Sequence, residues 1–140
     1  MTEKYKILGK YIKDLSSETK DAETYIFVRD NISKYKLGID ITSKAIKNKM
    51  IEVNTAIKFE DKNENQKKSY FEIIFSTIVQ IDNDIQDKKV MEKIILCDVK
   101  IEIYPDIEKT FLNLLHNSGY TGFKFEKKID FEKLYTQRFN

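Results

Sequence analysis

Apolar residues recur at every second position through much of the first half of the chain, and at every third or fourth position through the second half. Strand side chains alternate faces with a period of two, whereas helix positions repeat about every 3.6 residues. The chain therefore has to build a sheet first and helices afterwards. Ile51, Val53, Thr55, Ile57 and Phe59 alternate with Glu52, Asn54, Ala56, Lys58 and Glu60, so one face meets a core and the other meets water. Tyr35, Leu37, Ile39 and Ile41 alternate in the same way. The polar stretch over residues 60–69 reads as a hairpin loop into a run over residues 70–81. That run sets Phe71, Ile73, Phe75, Val79 and Ile81 on one face. Tyr70, Ile74 and Ile78 on its other face suggest cover on both sides. Residues 5–15 read as a further strand. Residues 16–34 read as a long, mostly polar connection with an apolar patch at Tyr25-Ile26-Phe27-Val28, of the length that usually serves function or an interface.

The period then changes. Val90, Met91, Ile94 and Ile95 form one stripe of a helix. Pro105 is placed to open a second helix carrying Ile107, Phe111, Leu114 and Leu115, because proline in a first turn loses no hydrogen bond. Asn117, Ser118 and Gly119 stop it. Asp130 reads as the N-cap of a short last helix whose stripe is Phe131, Leu134 and Tyr135. Strands followed by helices predict an α+β fold, with a four-stranded antiparallel sheet packed against C-terminal helices in a single domain over residues 1–140.

Chemical resources are thin. The 140 residues hold 25 Lys and Arg against 23 Asp and Glu, for a net charge of +2. One cysteine, Cys97, excludes an internal disulfide and reads as a buried, inert thiol. One histidine, His116, reads as a partner for carbonyls at the end of its helix rather than as a catalytic base. Asp82-Asn83-Asp84 lacks the glycine and the terminal glutamate of a calcium loop and reads as a turn. Gly9, Gly38, Gly119 and Gly122 are too scattered to cradle a phosphate. The expectations are no enzymatic activity, no metal and no cofactor. The lysines alternate with acids, and the cluster Lys62 to Lys68 sits in the polar loop, so a solvated surface outweighs a nucleic-acid patch. No apolar run approaches the roughly 20 residues of a membrane span. No secretory signal opens the chain, so a cytoplasmic protein without membrane insertion is expected.

Aromatic residues are in surplus. Tyr25, Phe27, Tyr104, Tyr120, Phe123 and Phe125 exceed what one small sheet can cover, which points to subunit association or an apolar client groove.

The segment Tyr11-Ile12-Lys13-Asp14-Leu15-Ser16-Ser17-Glu18-Thr19 resembles the Y-x-K-D-[IL]-S-x-E stretch of the SecB family of protein-export chaperones. A methionine and an aromatic-proline pair, Met91 and Tyr104-Pro105, follow at the family's separation. Leu114-Leu115 and Gly119-Tyr120 resemble its helix end and the loop after it. The segment Ile129-Asp130-Phe131-Glu132-Lys133-Leu134-Tyr135 resembles its [VI]-[ND]-F-x-x-L-[FY] signature. The resemblance spans roughly residues 5 to 138.

The resemblance implies a homotetramer built as a dimer of dimers. It also implies an ATP-independent chaperone that binds unfolded preproteins and delivers them to the SecA motor ATPase. SecA would dock on the sheet's solvent face at Asp14, Glu18, Tyr70 and Glu72. Clients would lie in apolar grooves, for which Phe27, Ile32, Tyr104, Phe123 and Phe125 are the candidates, each also able to fill core or interface. The chain stops at Asn140, soon after Tyr135, so a tail-mediated contact with the motor is expected to be short or absent. Family members are typically acidic, and this chain is slightly basic. Alternatives are a SecB-like chaperone of a toxin–antitoxin system, a small-ligand-binding α+β domain, and a lysine-based nucleic-acid binder.

Overall fold

The computed structural model describes residues 4–63, 67–125 and 130–139. Strands β1 (Tyr5–Glu18), β2 (Lys36–Ala45), β3 (Met50–Glu60) and β4 (Tyr70–Ile81) form one antiparallel sheet in the order β1-β4-β3-β2. β2 to β4 are sequential neighbours, while β1 lies beside β4 and leaves β1 and β2 as the two edges. The alternation read from sequence is the alternation of the sheet. Val53, Thr55, Ile57, Phe59, Phe71, Ile73, Phe75, Thr77 and Val79 are buried on the inner face, and the residues that alternate with them lie on the outer one.

Helix formation departs from the sequence reading at two places. The connection after β1 is structured: α1 (Ala22–Asn31) runs into a 3-10 turn over Ile32–Lys34. Asp21 caps α1 by accepting from the Thr24 amide at 2.8 Å. Only Thr24 and Val28 of α1 are buried, so its apolar stripe is too narrow to stand out against the polar residues around it.

Pro105 does not open a helix. It lies inside α3 (Val99–Asn117), which continues from α2 (Lys88–Lys93) through a wider π turn over Ile94–Asp98. An interior proline costs about 3 kcal/mol. Against this, α3 buries Val99, Ile103, Ile107, Phe111 and Leu115 in a single stripe against the sheet. At about 1.5–3 kcal/mol for each large apolar side chain, that stripe outweighs the broken bond. Pro105 itself is exposed.

Polar contacts pin α3 beneath β1. Lys10 Nζ meets Asp106 Oδ2 at 2.6 Å, the Tyr5 hydroxyl donates to Glu102 Oε1 at 3.1 Å, and the Ser17 and Ser118 hydroxyls lie 2.7 Å apart. α4 (Phe131–Phe139) starts as expected, with the Lys133 amide donating to Asp130 Oδ1 at 3.0 Å. Its Phe131 packs on Tyr104 with ring centroids 5.1 Å apart. Ile129 and the side chains of Leu134 and Tyr135 lie outside the described residues. Cys97 is buried, and that burial pushes its thiol up. No described helix is long and apolar enough to cross a membrane.

Candidate functional site

The loop that follows α3 builds one wall of a groove. Gly119 takes φ 107°, a left-handed conformation that suits glycine. Its missing side chain lets the Tyr25 ring approach, since a Cβ there would lie 2.5 Å from that ring. The Tyr25 hydroxyl donates to the Gly119 carbonyl at 2.8 Å, and the Tyr25 ring lies 5.4 Å from that of Tyr120. The Phe123 amide donates to the Tyr120 carbonyl at 3.2 Å and closes a turn. His116 Nε2 lies 2.8 Å from the Phe123 carbonyl oxygen. Its bond therefore goes to the loop and not to the carbonyls at its own helix end, because the loop folds back over the last turn of α3. Gly119→Ala is expected to lower the unfolding free energy by about 2 kcal/mol, read from urea midpoints. An unchanged midpoint would show that the close approach of Tyr25 is not what fixes this loop.

Between that loop, α1 with its 3-10 turn, β2 and α4 lies an open groove of about 1710 Å³. Ile32, Leu37, Ile39, Phe59, Phe123 and Phe125 supply its apolar lining. Phe59 organises the floor, with ring centroids 5.0 Å from Phe123 and 6.2 Å from Phe125. Phe125 also stacks on Phe111 at 6.2 Å, so the lining is continuous with the core. Of the five groove candidates from sequence, Ile32, Phe123 and Phe125 meet here. Phe27 is half-buried on α1 and is not in the lining. Tyr104 is 8% exposed, packs on Phe131, and belongs to the core.

Sequence reasoning missed Leu37, Ile39 and Phe59 as groove residues. Their alternation was plain, but it does not tell an edge strand from a central one. Only the strand order shows that the inner face of β2 is left half-covered.

A second surface lies on the outer face of the sheet. Glu18 pairs in register with Tyr70, Ser16 with Glu72 and Asp14 with Ile74, which brings all four residues of the expected docking set onto adjacent strands. The Tyr70 hydroxyl donates to Glu72. That bond, desolvation, and the charges of Glu72, Glu60 and Asp14 push the Tyr70 hydroxyl up to about 12. Glu60, at the end of β3, thus joins the cluster and was not singled out from sequence. Lys58 lies 3.7 Å from Glu72, while Asp14, Glu18 and Glu60 form no ion pair among the described residues. The patch keeps net negative charge on a slightly basic chain.

No cluster of three or more His, Cys, Asp or Glu side chains that could hold a metal ion occurs among the described residues.

The family described as "Preprotein translocase subunit SecB" matches residues 1–140. A relative from Pelagibacter ubique (strain HTCC1062), named "Putative protein-export protein SecB", is 65% identical over 140 residues and covers the whole of both chains. A solved structure, the Mycobacterium tuberculosis Rv1957 SecB-like chaperone in complex with a ChAD peptide from the Rv1956 HigA1 antitoxin, has the same fold. It superposes with a TM-score of 0.63 at 12% identity, over 89% of this chain and 91% of that one. The motifs at Asp14, Tyr104-Pro105 and Phe131, the sheet order and these matches agree. The chain belongs to the SecB family of protein-export chaperones.

Proposed function

We propose that this chain is a non-enzymatic, ATP-independent holdase of the cytoplasm that keeps unfolded preproteins export-competent and delivers them to SecA. The observation that carries this reading is the open groove floored by Phe59, Phe123 and Phe125. An unfolded client exposes scattered apolar side chains along an extended backbone, and an open apolar trough accepts many such segments. A shaped pocket for one small ligand would instead be enclosed. The export name of the 65% identical relative favours this reading over a toxin–antitoxin role.

Self-association as a homotetramer, a dimer of dimers, belongs to the same proposal. Leu8, Ile12 and Leu15 on edge strand β1 are 44–46% exposed, and Ile101 on α3 is 51% exposed. A free strand edge rimmed with large apolar side chains is a surface that soluble proteins normally cover. SecA is proposed to dock on Asp14, Glu18, Tyr70 and Glu72, where acids steer a basic partner.

Light scattering should give a tetramer mass, and the protein without ATP should suppress aggregation of a diluted, unfolded client. A stable monomer that leaves client aggregation unchanged would sink the reading. The double substitution Asp14→Lys and Glu72→Lys is expected to weaken SecA binding by about tenfold or more while aggregation suppression persists.

A further inference from the structure

The rim of the groove does not share the near-neutral balance of the chain. Among the described residues, Arg29, Lys36, Lys124 and Lys133 line it together with one acid, Asp130. All five are exposed. Asp130 is already engaged, since its carboxylate accepts the Lys133 amide at the start of α4. Arg29 has only a loose, solvent-exposed contact with Asp30 at 3.4 Å, a geometry worth little in water. Lys36, Lys124 and Lys133 form no ion pair among the described residues. The acids Asp14, Glu60 and Glu72 cluster around Tyr70 on the outer sheet face, where Glu60 also stands opposite Lys36 in the β2–β3 register. The described rim is therefore cationic, whereas the patch around Tyr70 is acidic.

Building on the holdase reading, we propose that the groove selects extended client segments in which apolar residues are flanked by aspartate or glutamate. The apolar side chains lie on Ile32, Leu37, Phe123 and Phe125, and the flanking carboxylates meet Arg29, Lys124 and Lys133. β2 is a sheet edge, so its outward backbone groups are free to pair with an extended segment running along the groove. Lysine-rich segments are repelled by the same rim. Two or three exposed charge contacts of this kind together shift binding by about tenfold, and salt screens them.

The test uses the full chain and two fluorescent peptides with one shared apolar core, flanked either by Asp and Glu or by Lys. Binding is read by anisotropy at low and at high salt. The acidic-flanked peptide is expected to bind about tenfold tighter at low salt, with the gap closing at high salt. The double variant Lys124→Glu and Lys133→Glu should reverse the order, and its binding of the lysine-flanked peptide shows that it is folded. Equal binding, or a preference for the lysine-flanked peptide, overturns the charge selection and leaves the holdase reading standing. If neither peptide binds at any salt, the groove reading fails and the selection fails with it.

Discussion

Replacing Lys100 by Met is expected to stabilise the protein by about 3 kcal/mol near neutral pH and to flatten its stability between about pH 7 and 9.5. Lys100 is fully buried between α3 and the sheet. Its Nζ donates to the Thr55 hydroxyl, and burial alone pulls its pKa from 10.5 down to about 7. Thr77, diagonal to Thr55 across the β3–β4 pair, has a buried hydroxyl oxygen without a partner. The folded pKa is depressed, so the unfolded chain takes up a proton at a higher pH than the folded one. Stability from this group is full above about pH 10.5 and falls through the interval down to about pH 7, where it levels off. Each pH unit across that interval is worth about 1.4 kcal/mol, about 5 in all. Orphaning the Thr55 hydroxyl in the methionine variant gives back about 1–2 kcal/mol.

Urea unfolding at fixed protein concentration, at pH 7 and again near pH 9.5, reads the difference. The upper limit matters because Tyr70 and Tyr104 are raised to about 12, so they lose stability as pH rises beyond about 10 and would mask the lysine. Identical slopes for wild type and Lys100→Met over that window would show that Lys100 is not the source of the pH dependence.

Lys100 marks the limit of what the sequence discloses. The Val99, Ile103, Ile107, Phe111 and Leu115 stripe rotates the helix so that Lys100 also faces inward, and an isolated lysine beside an apolar stripe reads as solvent-facing. The strands were legible because each has one buried face, which alternation records directly. Pro105 misled because its local preference for a first turn was weighed without the burial along the rest of α3. α1 was hidden for the opposite reason, since only Thr24 and Val28 reach the core. At the acidic surface, Asp14, Glu18, Tyr70 and Glu72 were legible through a motif and meet through strand register. Glu60 was not, because only the pairing of β3 with β4 brings it near Tyr70. For the groove, the loop aromatics Phe123 and Phe125 were visible as surplus. Their partner Phe59 looked like an ordinary core residue.

Phe59→Ala should lower the unfolding free energy by about 3–5 kcal/mol and also abolish client retention, which separates Phe59 from the other groove aromatics. Phe59 is 2% exposed, and its ring lies within 6.3 Å of those of Tyr35, Phe71, Phe111, Phe123 and Phe125. It is therefore the joint between the core, through Phe71 and Phe111, and the groove, through Phe123 and Phe125. Removing it leaves a cavity under both. Phe123 is half-buried at the groove, so Phe123→Ala should cost about 1 kcal/mol in stability while weakening client capture strongly. Phe59→Leu keeps most of the volume and should restore stability to within about 1.5 kcal/mol of wild type. Thermal unfolding and the client-aggregation assay on the three variants distinguish the roles. A Phe59→Leu protein that is stable and still captures client, beside a Phe123→Ala protein that is stable and does not, would place recognition on the loop and support on Phe59. Full client capture by Phe123→Ala would remove the loop aromatics from recognition and leave Ile32, Leu37 and Ile39 as the contact surface.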